Sequence, residues 1–343
     1  MSPTILMVIM SSLATGTIIT MTSHHWLAAW IGLEMNTLAM IPIISTTHNP
    51  RATEAATKYF LTQAAASAMI LFSSMINAWQ TGTWDITNML VYPSNIMLTL
   101  ALAMKLGLAP AHFWLPEVLQ GSTLTTALII TTWQKLAPMA LIYLTMNSLS
   151  VTVLMLLGIL SSIVGGLGGL NQTQARKIMA YSSIAHLGWM ATISSIMTNI
   201  MIFNLVLYLI MTTALFCFLI ASKSKTILDT TTWSFSPTMT TMMMLTLLSL
   251  GGLPPLTGFA PKWLIMEELI TQNLAPMAAI LAMSTLLSLF FYMRLTYTTT
   301  LTLSPNTTQT KFKWRFKPTL PKLLMISSTV STFLLPMTPL NLL

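Results

Sequence analysis

Residues 104–117 read Met-Lys-Leu-Gly-Leu-Ala-Pro-Ala-His-Phe-Trp-Leu-Pro-Glu. In apolar surroundings this run carries Lys105, His112 and Glu117, and Gly107, Pro110 and Pro116 punctuate it too closely for a regular helix. Proline removes a backbone donor and crowds the preceding turn, so the spacing predicts a helix that stops near Pro110 and restarts beyond it. Only 6% of the chain is charged and 54% is hydrophobic, a balance that belongs to polytopic helical membrane proteins. At membrane depth, irregular backbone is tolerated only against protein or a water-lined cavity. A lysine one turn before such a break is the pattern of an ion path.

Working outward, apolar runs long enough to cross about 30 Å of hydrocarbon fall at 3–21, 26–45, 59–79, 95–120, 123–144, 150–170, 178–197, 200–221, 238–272, 275–298 and 322–342. The expected fold is all-α, with eleven transmembrane helices of which two, 95–120 and 238–272, are broken. The first twenty residues lack the basic start and small-residue cleavage site of a signal peptide, so they read as the first span. No link between spans is large enough for a soluble domain, and residues 1–343 are expected to form a single transmembrane domain. The lone Cys217 excludes a disulfide framework or a cysteine-ligated cluster. With 29 methionines beside so few charges, the composition suggests a biased coding system such as a mitochondrial genome.

The net charge of +8 is explained by its distribution. Links after even-numbered spans hold Arg51 and Lys58, Arg176 and Lys177, Lys223 and Lys225, and a basic group running from Arg294 through Lys311, Lys313, Arg315 and Lys317 to Lys322. Links after odd-numbered spans hold neither Lys nor Arg. This is a positive-inside pattern that puts the even links and the N-terminus on the negative side of the membrane. The basic surplus is therefore an orientation signal, and nucleic-acid binding is excluded. The cluster 311–317 reads as a topogenic loop that also suits anionic lipid headgroups.

A repeat is visible as well. Gly107-x-x-Pro110 followed by Pro116-Glu117 is matched by Gly251-x-x-Pro254 followed by Pro261-Lys262, five spans later. An odd separation inverts the second copy, and paired Gly/Pro-interrupted segments mark the central site of transporters. The division expected is a first inverted repeat over 1–145, a second over 146–298, and a basic loop with the last helix over 299–343.

Four ionisable residues lie deep within this framework. Glu34, in mid-span, costs about 2.5 kcal/mol or more unless paired or hydrated; its natural partner is Lys105, in either a working pair or a static pin between helices. Lys135 is too deep to reach water along its own stem. With no acid in its own helix, it is either a proton relay or a lysine held by carbonyls freed at Pro138. Lys262 follows the second break, where it could end the lysine row, and Glu267 and Glu268 are expected to face water at that helix end. His186 lies mid-span and His112 inside the first break. Each is a possible proton link, because histidine titrates near neutrality, or a neutral side chain bonded to a neighbour. His24-His25 sit at a span end and read as interfacial, and Gly165-Gly166-Leu167-Gly168-Gly169 reads as close helix packing rather than a phosphate loop.

The run Lys105-Leu-Gly-Leu-Ala-Pro-Ala-His-Phe-Trp-Leu-Pro resembles the Lys-x-Gly-x-x-Pro-x-His-x-Trp-x-Pro motif of the antiporter-like membrane subunits of respiratory NADH:ubiquinone oxidoreductase, complex I. Leu-Gly-Gly-Leu-Pro-Pro-Leu-Thr-Gly-Phe at 250–259, with Pro261-Lys262-Trp263, is similar to their second broken helix, and Arg51-Ala-Thr-Glu-Ala-Ala-Thr-Lys-Tyr-Phe extends the likeness. The layout resembles the animal mitochondrial form, which lacks the first three helices of bacterial members. The resemblance implies a subunit of a proton-translocating enzyme, with Glu34, Lys105, Lys135 and Lys262 as the axis and His112 and His186 as links. Where related subunits place a glutamate on the final broken helix, this chain has Lys262, which leaves the exit step open.

The resemblance implies no cofactor on this chain, the complex itself using NADH, FMN, iron–sulfur clusters and ubiquinone. It also implies other membrane-arm subunits and phospholipids, cardiolipin among them, as partners in a hetero-oligomer. The location implied is the mitochondrial inner membrane, with the N-terminus in the matrix and the C-terminus in the intermembrane space. A stand-alone sodium/proton antiporter subunit and a structural spacer are the rival readings.

Overall fold

The computed structural model describes residues 2–89, 91–231, 237–301, 322–336 and 338. The cluster 311–317 and the end of the stretch 322–342 lie outside them. The described chain is helical, and it divides into two compact units: residues 1–161 with 187–198, and residues 162–186 with 199–343.

In the first unit, α1 (Pro3–Thr22) starts at Ser2, whose hydroxyl accepts from Ile5 N. It packs against α2 (Trp26–Ile44) through glycines: a Cβ at Gly16 would stand 2.8 Å from Gly32 O, so no larger residue fits there. α3 (Pro50–Thr81) opens with Pro at its first turn, where a missing N–H costs nothing, and closes on Gly82 at φ 73°. Then come α4 (Tyr92–Leu106) and α5 (Trp114–Gly121), the two halves of the first broken helix.

α6 (Leu124–Thr131) and α7 (Leu136–Leu144) are joined by a 3-10 turn over Trp133–Lys135. The stretch 123–144, expected as one continuous helix, is thus interrupted at its centre. Pro138 explains the position: it cannot donate to the carbonyl of Gln134 and its ring crowds that carbonyl.

α8 (Val151–Gly169) and α9 (Ala175–Ser194) contribute to both units. Their contact in the second unit confirms close packing by the glycine run, since Gly165 lies on Ala185 and Gly168 on the Tyr181 ring. The second unit continues with α10 (Thr198–Ser222) and the short α11 (Ile227–Thr231). At α11, Asp229 accepts from Thr226 N while Thr226 Oγ1 accepts from Asp229 N. Amides of Thr226 and Lys225 hold the Asp229 carboxyl below the usual range. α12 (Pro237–Gly251) and α13 (Phe259–Thr271) are the halves of the second broken helix, followed by α14 (Ala275–Leu301) and α15 (Lys322–Phe333).

Among the described residues, each unit contains one short pairing of two links. In the first, Trp26 N donates to Trp84 O and Ile86 N to His24 O, around a bridge between His25 and Asp85. In the second, Ala175 N donates to Lys225 O and Ile227 N to Thr173 O, around a bridge between Gln174 and Thr226. Among the described residues, seven helices are long and apolar enough to cross a membrane. Each broken helix falls short for a plain reason: its break divides one apolar run into pieces of 15 and 8 residues at the first break and 15 and 13 at the second, each shorter than the roughly 20 that a span needs.

Candidate functional site

The first break spans residues 107–113 and the second 252–258. α4 ends on Gly107 at φ 82°; Leu108 N donates to Ala103 O and Gly107 N to Met104 O. α12 ends the same way, on Gly252 at φ 78°, with Leu253 N to Leu248 O and Gly252 N to Ser249 O. Both are Schellman caps, whose left-handed residue is normally glycine. The left-handed position of the second break is therefore Gly252, one residue later than the sequence pairing with Gly251. In this register Pro110 meets Pro255, Pro116 meets Pro261 and Glu117 meets Lys262, while Lys105 meets Leu250.

Around the first break, carbonyls released by α4 are taken by neutral donors. Trp114 Nε1 donates to Met104 O at 3.2 Å and Gln63 Nε2 to Lys105 O at 3.4 Å. The Lys105 side chain is buried, at 6% exposure, and its Nζ makes no hydrogen bond. Glu34, on α2, is half-buried with Oε2 enclosed and equally without a partner. Its charge acts on both Lys105 and Tyr59. The structure brings Glu34 and Lys105 into one electrostatic neighbourhood without closing them into a hydrogen-bonded pair.

Tyr59 connects this neighbourhood to the interrupted stretch, because its hydroxyl donates to Gln134 Oε1 at 3.4 Å, next to buried Lys135. Sequence reasoning missed Tyr59, since an aromatic side chain in an apolar span looks like packing. His112 lies in the break with Nδ1 3.2 Å from Pro110 O and its ring on Phe113. Glu117 turns outward on α5 and receives Lys58 of α3 at 2.6 Å; Lys58 also reaches Glu54 at 2.5 Å. That clamp between α3 and α5 was also missed, although the Glu54–Lys58 spacing of four residues is a helical pair.

In the second unit, Lys262 projects back across its break. Its Nζ donates to Gly251 O at 2.8 Å, and its stem lies so close to Gly252 that a Cβ there would meet it at 2.8 Å. The ammonium therefore caps the C-terminal end of α12, the end favoured by a cation. His186 is buried in the same unit, with Nε2 3.5 Å from the Tyr292 hydroxyl and its ring 5.5 Å from that of Tyr208. Glu267 is exposed. Among the described residues, no three His, Cys, Asp or Glu side chains come together as a metal site.

Comparison with known proteins gives consistent results. Residues 23–288 match the family described as NADH:quinone oxidoreductase/Mrp antiporter, TM, and residues 289–342 match NADH dehydrogenase subunit 2 C-terminus. NADH-ubiquinone oxidoreductase chain 2 of Varanus timorensis is 57% identical over 342 residues, covering 99% of each chain. The protein of that name from Xenopus laevis is 54% identical over the full length of both. A chain of respiratory complex I from Thermus thermophilus superposes with TM-score 0.83 at 26% identity, over 96% of this chain and 77% of that one. A chain of the Mrp complex from Dietzia sp. gives TM-score 0.82 over 96% and 74%, at 16% identity, a likeness of fold alone.

Proposed function

Since the chain belongs to the NADH-ubiquinone oxidoreductase chain 2 family, we propose that it translocates protons along a buried axis of Glu34, Lys105, Lys135 and Lys262. The chain is a multi-pass membrane subunit of that enzyme complex. The observation that carries the axis is the unclosed pair at the first break: the enclosed Oε2 of Glu34 and the enclosed Nζ of Lys105, neither of which makes a hydrogen bond.

An ammonium kept from water holds its proton when a carboxylate stands close and yields it when the carboxylate withdraws. Movement of Glu34 relative to Lys105, imposed by a neighbouring membrane-arm subunit, would thus set the proton affinity of Lys105. The released proton passes toward Lys135, with Tyr59 and Gln134 between them holding water or hydroxyl partners in line. Lys262, bonded to Gly251 O, receives it last and passes it on by letting go of that carbonyl, with His186 and His112 as side links. Quinone reduction elsewhere in the assembly supplies the energy.

The proposed frame is eleven spans, with inverted repeats over 1–145 and 146–298. Support comes from the equal breaks at 107–113 and 252–258 and from the paired links at the starts of α2 and α9. The distribution of basic links supports an N-terminus in the matrix and a C-terminus in the intermembrane space, with cardiolipin or other anionic phospholipid at the basic side. A stand-alone sodium/proton exchanger is the second reading. It has fold likeness on its side, whereas full-length identity favours the respiratory complex.

The test replaces Lys135 with Met in the assembled complex in sealed vesicles and records NADH oxidation together with proton uptake. Loss of uptake is expected. Normal assembly with an unchanged proton yield would overturn the relay and leave the chain a spacer.

A further inference from the structure

The enclosed polar atoms of the first unit form a pattern that the lysine row does not use. Trp26, Trp30 and Glu34 follow one another on α2 at four-residue steps, so they share one stripe of the helix. Trp26 Nε1, Trp30 Nε1 and Glu34 Oε2 are each buried, and each lacks a hydrogen-bond partner. Trp26 as a whole is 1% exposed. α3 packs against α2 and turns Gln63, Ser67, Ser74 and Asn77 inward; Asn77 Oδ1 is again buried without a partner.

Each enclosed polar atom left unpaired forfeits its hydration with nothing in return, and several in one seam are too costly to leave dry. Buried water removes that cost, because one molecule serves two to four such groups. Both ends of the seam are defined. At one end stand Glu34 and Lys105. At the other, Trp26 N donates to Trp84 O at 3.1 Å and Asn77 Nδ2 to Asn88 O at 2.9 Å, under a surface where His25 stacks on Trp84 beside exposed Asp85. From Trp26 to Glu34 the helix rises about 12 Å, at ~1.5 Å per residue.

We propose that the indoles of Trp26 and Trp30 anchor a file of ordered water along α2, joining Glu34 to the membrane face that carries His25 and Asp85. Indole N–H donates and never accepts, so each ring binds a water by its oxygen and leaves both water hydrogens to point onward. A proton that leaves the Glu34 carboxyl enters the file at one end, and an equivalent proton leaves at the other. Glu34 then exchanges protons directly with the side of the lysine-free links, separately from the lysine row. The inference rests on the reading of Glu34 as a titrating group of the axis.

Two measurements on the intact complex test it. A map of the wild-type complex at a resolution that shows water should place a water oxygen within hydrogen-bond distance of both indole nitrogens. In sealed membranes, a Trp30→Cys variant should react with a membrane-impermeant cationic thiol reagent from the intermembrane-space side only; wild type, whose Cys217 is buried, is the control. Protein or lipid atoms on both indole nitrogens would overturn the file, as would labelling from the matrix side alone or from neither side. Trp30→Phe keeps the ring and deletes the donor, and should lower the proton yield per NADH at least twofold. Glu34→Gln with an unchanged yield would defeat the translocation reading, whereas the map and the labelling still decide whether the file exists.

Discussion

In the first broken helix the ammonium stands before the turn, and in the second it stands after the turn and reaches back. The backbones match: 107–113 and 252–258 each follow a left-handed glycine, and each restarts at an aromatic residue, Trp114 or Phe259. The side chains divide the work differently. At the first break Trp114 and Gln63 satisfy the carbonyls of Met104 and Lys105, and Lys105 Nζ is left without a hydrogen bond. At the second, the indole is absent and Lys262 itself takes the carbonyl of Gly251. In the shared register Lys262 stands where Glu117 stands, and the place of Lys105 is held by Leu250. One backbone device thus supports two kinds of lysine, one poised and one tethered.

Several changes would break or sharpen that contrast. The largest effect is expected from Lys105→Met, which removes the poised charge. Proton uptake coupled to NADH oxidation should fall at least about tenfold, equivalent to about 1.4 kcal/mol on the barrier, with assembly retained. Next is Gly252→Ala, which combines a left-handed non-glycine residue, costing about 1–2 kcal/mol, with a collision against the Lys262 stem. The same change at Gly107 carries the same backbone cost but a looser contact, with Leu115 at 3.2 Å and the Trp114 ring at 3.4 Å. Native-gel quantitation should therefore show less assembled complex for Gly252→Ala than for Gly107→Ala; equal losses would erase the distinction between the breaks.

Lys262→Gln retains a neutral donor for Gly251 O. It should restore the assembly that Lys262→Met loses while failing to restore pumping; recovery of both would make Lys262 a cap and nothing more. Trp114→Phe imitates the second break within the first and should cost about 1 kcal/mol, read as a lowered melting temperature of the complex. The smallest change is Lys58→Met at the exposed clamp. Surface pairs contribute little because water and salt screen them, so its effect on melting should be slight and should vanish in high salt.

Much of this was legible in the residues. Gly107, Pro110 and Pro116 announced the first break, and the apolar runs located the helices, because both signals are local. The pairing of the breaks slipped by one residue since Gly251 and Gly252 are indistinguishable as letters; only the backbone shows which one is left-handed. The clamp of Lys58 on Glu117 was out of reach because it joins helices with no common period. Tyr59, Trp26 and Trp30 were passed over for a different reason. An aromatic residue in an apolar span is normally packing, and its one polar atom acquires meaning only when its surroundings are seen to offer no partner.

One dimension of α3 carries a mechanical consequence. Its 32 residues make a rod of about 48 Å at ~1.5 Å per residue, whereas the hydrocarbon core is about 30 Å thick. The N-terminal turns bearing Glu54 and Lys58 thus form a handle continuous with the part that holds Tyr59 and Gln63. A load applied to that handle travels down an unbroken hydrogen-bonded shaft, with no loop along the way to absorb it.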